Sequence, residues 1–128
     1  MTRDIRRTLV VVAMIAAGIF LPRLVSSREA VREIHIVAKD MAYRVGGVTG
    51  TNPALRFTPG EKVRISLRNE DKGMQHDFGI PAWGITTGIV EWSSEKTVTF
   101  QVPGGKDGAA YVCTPHSAMM AGAIILER

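Results

Sequence analysis

Cysteine occurs once in this chain of 128 residues, and histidine three times. A solitary cysteine excludes an intramolecular disulfide framework. In an exported chain a free thiol needs another reason to exist, and metal ligation is one. After residue 30 no segment carries helical periodicity with start and stop signals, which argues against a helical bundle or an α/β fold. Clustered basic charge is also missing from the body of the chain. The formal charge is +4, but residues 1–27 hold four arginines and one aspartate, leaving +1 on the remaining 101 residues. A folded part so close to neutral lacks the phosphate-binding term that nucleic-acid recognition requires.

No apolar run reaches the roughly 20 residues of a full membrane span. The longest candidate runs from Leu9 to Phe20, follows Arg3, Arg6 and Arg7, and is interrupted by Leu21-Pro22-Arg23. This basic-then-apolar order matches a secretory signal sequence, with Ser26 and Ser27 permitting cleavage. An uncleaved anchor is the alternative, because Leu24 and Val25 extend the run. Both readings put the N-terminus in the cytoplasm and export the remainder of the chain. The expected organisation is a signal peptide or N-terminal membrane anchor over 1–27 and one domain over 28–128, periplasmic or extracytoplasmic, soluble or tethered through residues 9–21. With 45% apolar content, a chain this short buries one core.

What is present is short alternating segments separated by turn residues. Ile34–Ala38 is the first candidate strand. Lys62–Arg68 places Val63, Ile65 and Leu67 on one face and charges on the other, reading as a half-buried antiparallel strand. Lys96–Val102 repeats the pattern with Val98, Phe100 and Val102 inward, and Ala109–Cys113 and Gly122–Leu126 are two further apolar strands. Turn signals fall at Gly46-Gly47, Asn52-Pro53, Thr58-Pro59-Gly60-Glu61, Asn69–Gly73 and Pro103-Gly104-Gly105. Together they predict an all-β Greek-key sandwich.

The cysteine lies in Tyr111-Val112-Cys113-Thr114-Pro115-His116-Ser117-Ala118-Met119-Met120. A thiolate, an imidazole and a thioether in one loop are a soft ligand set suited to copper in both oxidation states. Two histidines and a cysteine with a weak axial methionine form an electron-transfer centre, and His76 is the best-placed second histidine. The 37 positions between His76 and Cys113 leave room for roughly two strands to run down and return to the same end of a sandwich. His35 alternates with Ile34 and Ile36 without soft neighbours and reads as a solvent-facing strand residue.

On these residues the sequence resembles the cupredoxins, the small blue copper proteins. Cys113-Thr114-Pro115-His116 is similar to the Cys-x-Pro-His segment of amicyanins, pseudoazurins and plastocyanins. The stretch His116–Gly122 resembles the His-Ser-Ala-x-Met-x-Gly segment of azurins. Thr58–Val63 and Asn69 resemble the family's strand start and the asparagine ahead of its first ligand. The resemblance covers about residues 33–127 and implies a cupredoxin fold with one mononuclear type 1 copper. Its ligands would be His76, Cys113, His116 and Met120, with Met119 as the alternative axial thioether. Asp77 would take a polar position tying its loop to Thr114. The stretch His76–Ile85 is also similar to part of the copper domain of cytochrome oxidase subunit II. That dinuclear centre needs a second cysteine four residues after the first, where this chain has Ser117, so a mononuclear site is expected.

The resemblance implies a one-electron carrier and not an enzyme, a monomer that docks transiently with redox partners near His116, where Pro115, Ala118 and Met119 form an apolar patch. The alternative is a Cu(I) carrier that supplies a respiratory copper enzyme during assembly. A third reading keeps the sandwich without metal, as a protein-interaction domain. Met41 and Met74 are expected to pack in the core or at the rim, and Trp83 and Trp92 to serve as core or surface cover.

Overall fold

A computed structural model of the protein describes residues 28–105 and 107–128. The signal or anchor expected over residues 1–27 lies outside them. No helix among the described residues is long and apolar enough to cross a membrane. Among the described residues nine strands are arranged in two sheets: β1 (Val31–Lys39), β2 (Ala42–Val45), β3 (Leu55–Phe57), β4 (Lys62–Asn69), β5 (Gly79–Ile80), β6 (Ile85–Thr86), β7 (Glu95–Gln101), β8 (Ala109–Val112) and β9 (Ala121–Leu126). One sheet has the order β2-β1-β4-β7 and the other β3-β9-β8-β5-β6.

The expected all-β sandwich is what forms. β4 differs from expectation in one respect: it is antiparallel to β7 but parallel to β1, with Ile34 opposite Ile65. Two-residue alternation fixes which face is buried but says nothing of a neighbour's direction. β1 is longer than the candidate Ile34–Ala38 because its charged ends continue the same ladder.

Period-two patterning sends Ile34, Ile36 and Ala38 of β1 and Val63, Ile65 and Leu67 of β4 inward, where they meet Phe57, Tyr111 and Ile124 of the facing sheet. Val63, Ile65 and Leu67 are completely buried, each contributing about 1.5–3 kcal/mol relative to exposure. Val98 and Phe100 of β7 are half-buried and close the core at that edge. His35 faces outward as expected, where its Nδ1 pairs with Ser66 Oγ at 2.7 Å. Trp83 packs on the core beside Phe57 and Phe100, whereas Trp92 covers the surface at 50% exposure.

β5, β6, β7 and β8 intervene between His76 and Cys113, more than the expected pair of strands. β5 and β6 are two residues each, joined across a single 3-10 turn at Pro81–Trp83. Both His76 and Cys113 end at the same pole.

Candidate metal centre

Two loops build the site. The first leaves β4 at Asn69, whose buried side chain organises the turn beyond it. Its Nδ2 donates to the carbonyls of Met74 at 2.7 Å and Val90 at 2.9 Å, and its Oδ1 accepts the Asp71 N–H at 2.9 Å. His76 then forms a β-bridge with Val90, donating to Val90 O at 3.3 Å and accepting from its N–H at 2.7 Å. Its ring is completely buried. The asparagine that resembled a family position therefore acts as a staple, holding the loop so that the histidine main chain can pair.

The second loop joins β8 to β9. Their register runs Val112 opposite Ala121, so the Cys113–Met120 segment projects as one closed loop. The Cys113 N–H donates to Met120 O at 2.9 Å, and the N–H groups of His116 and Met120 donate to the carbonyls of Cys113 and His116 at 3.1 and 2.9 Å. Pro115 presets the 3-10 turn Thr114–His116 through its fixed φ. β9 must start close over the β8 side chains, and a Cβ on Gly122 would fall 2.3 Å from the Tyr111 ring. Glycine is needed there for space.

One nitrogen from each of His76 and His116 and the Cys113 sulfur lie within 4.8 Å of one another. Cys113 Sγ is 3.6 Å from His76 Nδ1 and 3.7 Å from His116 Nδ1. Cys113 is buried, and His116 is partly exposed. Burial pushes the Cys113 thiol above its ordinary value, so without a cation the thiolate is disfavoured and binding a metal must displace a proton. Two imidazoles and a thiol sharing so small a volume fit a copper ion by donor chemistry. His35, on an outer sheet face, is not part of the cluster.

The two methionines separate cleanly. Met120 is completely buried and Met119 is 60% exposed. Met74 is 39% exposed and borders a depression with Gln75, Glu91, Trp92, Pro115 and His116.

Asp77 bridges the loops as expected: its buried carboxylate accepts the Thr114 N–H at 2.5 Å. The Tyr43 hydroxyl donates to the Asp77 carbonyl. Asp71 is the site residue that sequence reasoning missed. Its carboxylate pairs with His76 Nε2 at 2.8 Å. Burial opposes its ionisation, but N–H groups of Met41 and Asp40 together with His76 outweigh that and hold its carboxyl below the usual value. An acidic residue five positions before a ligand, within a turn-like Asn-Glu-Asp-Lys-Gly run, offers no pattern to separate it from a solvated turn.

The model of the copper-binding proteins of the plastocyanin/azurin family matches residues 61–127. The chain belongs to this family. It is a cupredoxin, a copper electron-transfer protein and not an enzyme, and its cofactor is one copper ion. Solved structures share the fold. Rusticyanin from Thiobacillus ferrooxidans is 23% identical, with 76% of this chain and 77% of that chain covered and a TM-score of 0.62. Auracyanin A from Chloroflexus aurantiacus is 18% identical over 77% of this chain and 100% of that chain, with a TM-score of 0.59. A chain of a haem-copper terminal oxidase dimer is 18% identical over 81% of this chain and 69% of that chain, with a TM-score of 0.61. No curated protein sequence matches this chain.

Proposed function

We propose that this cupredoxin is an exported, monomeric carrier of single electrons, in which His76, Cys113, His116 and Met120 would hold the copper ion of a type 1 site. The observation that carries the reading is the convergence of the His76, Cys113 and His116 donors within 4.8 Å on two loops tied to each other. Copper, when bound, supplies the one-electron couple, and this ligand type and geometry suit both of its oxidation states. The protein's task is to keep the donors still. Complete burial of His76, the Asn69 staple and the closed Cys113–Met120 loop do so. Full burial of Met120 favours it over Met119, whose side chain faces solvent.

Among the three clustered donors, His116 alone reaches the surface, so its ring edge is the proposed route for the electron. Around it stand exposed Pro115, Ala118 and Met119, with Met74 and Trp92 across the depression. An apolar rim of this kind suits a small, short-lived interface with a redox partner. Residues 1–27 would direct the domain across the membrane as a signal or retain it there as a tether. Cell fractionation tests that placement, and recovery in the cytoplasm would reject it.

One observation favours a second reading, Cu(I) delivery to a respiratory enzyme: an exposed thioether, Met119, stands next to a buried one. Redox cycling separates the two. A carrier develops an intense Cu(II)-thiolate band that bleaches with reductant and returns with oxidant, metal retained. Selective Cu(I) binding with release to a chelator or acceptor would favour delivery and sink the carrier.

A further inference from the structure

The geometry points to Asp71 as the positioning residue of the first copper ligand, fixing the His76 tautomer and lowering the reduction potential of the site. The inference rests on the ligand set proposed above. Asp71 Oδ2 lies 2.8 Å from His76 Nε2. An ionised carboxylate only accepts hydrogen bonds, so Nε2 carries the proton. The Nδ1 lone pair is then left free, and Nδ1 is the atom 3.6 Å from Cys113 Sγ. The opposite tautomer would set an N–H where a metal must bind.

Asp71 is itself held from outside the site. Its Oδ1 accepts the Asp40 N–H at 2.6 Å, and its Oδ2 accepts the Met41 N–H at 3.0 Å. Asp40 and Met41 form the tight turn between β1 and β2 with φ of 54° and 57°. Left-handed backbone is uncommon for a residue as bulky as methionine. The carboxylate binds both N–H groups of that turn, while the Asp71 N–H donates to Asn69. With its side chain 13% exposed, the carboxylate has little freedom to leave the imidazole. A β1–β2 turn, remote in sequence from both ligand loops, therefore sets the orientation of a copper ligand. An anionic partner on the outer nitrogen also makes the imidazole a stronger donor, which favours Cu(II) over Cu(I).

The test compares the full chain with Asp71→Asn, an isosteric change that removes the charge. Losing an outer partner of a ligand typically weakens metal affinity 10–100-fold. If the lower end falls selectively on Cu(II), the potential rises by about 59 mV, the tenfold equivalent for one electron. The thiolate band should persist. Independently of copper, long-range 15N–1H spectra of the copper-free wild-type chain should show His76 protonated at Nε2. A purely turn-capping Asp71 would lower the melting temperature of Asp71→Asn and leave the potential unchanged, which would overturn the inference. An Nδ1-protonated His76 in the wild type would overturn it as well, whether or not the variant folds. Failure of the wild type to take up copper would instead reject the ligand assignment, with the tautomer spectrum still deciding the role of Asp71.

Discussion

Replacing Asn69 by alanine should destabilise the copper-free protein by about 2–3 kcal/mol, with each side-chain hydrogen bond contributing roughly 0.5–1.5 kcal/mol net. Three bonds are lost: to Met74 O, to Val90 O and from the Asp71 N–H. The loss falls short of three full bonds because Val90 O still accepts the His76 N–H. The Met74 carbonyl and the Asp71 N–H lose the partners that the fully buried Asn69 side chain provides, each in a part-buried hydrogen bond. At about 4–8 °C per kcal/mol for a domain near 100 residues, the melting temperature should fall by about 10–20 °C. Urea unfolding of the copper-free chain, followed by circular dichroism and tryptophan fluorescence, gives the free energy directly; the midpoint should drop with an unchanged slope. Asn69→Asp should not rescue, because a carboxylate cannot donate to two carbonyls. A loss below about 0.5 kcal/mol, within the range of an ordinary surface substitution, would refute the staple.

The remaining predictions concern titration and the axial position. Tyr43 and Tyr111 are the chain's two tyrosines, and both are buried. Burial raises both phenols above the ordinary value of 10.0, Tyr111 to about 12. A raised folded value means a contribution to stability that is complete below pH 10.0 and is lost as pH rises through the folded value. Ultraviolet titration of the folded protein should therefore show no tyrosinate near pH 10, with Tyr111 ionising at about pH 12 and Tyr43 after it, and phenolate appearing near pH 10 in a folded protein would contradict the core. Met120→Leu, a volume-conserving change costing less than about 1.5 kcal/mol, should keep the thiolate band and raise the potential, whereas Met119→Leu should change neither. Voltammetry showing the reverse would exchange the two assignments.

The clustered donors of the second loop were legible because their chemistry is local: Cys113, Pro115 and His116 lie within four positions, and their spacing is the signal. The core strands were legible because Val63, Ile65 and Leu67 alternate strictly with polar residues. The parallel pairing of β1 with β4 was not, since alternation looks the same for either neighbour direction. β5 and β6 escaped notice because two residues are too few to show a period. β2 and β3, of four and three residues, lacked a long enough pattern too. Asp71 was invisible for a different reason. Its role depends on the β1–β2 turn meeting the β4–β5 loop, a contact between segments about 30 positions apart that no motif records. The Asp77 contact with Thr114 could be anticipated through the family resemblance; charge pattern alone would have made Asp77 a surface acid.

The most direct measurement is titration of the copper-free protein with Cu(II), recorded in the visible range beside Cys113→Ser. One equivalent should produce an intense thiolate band that saturates sharply and is missing from the variant, because Cys113 is the chain's one thiol. No band in the wild type, a band that survives Cys113→Ser, or saturation at two equivalents would contradict a single copper held by His76, Cys113 and His116.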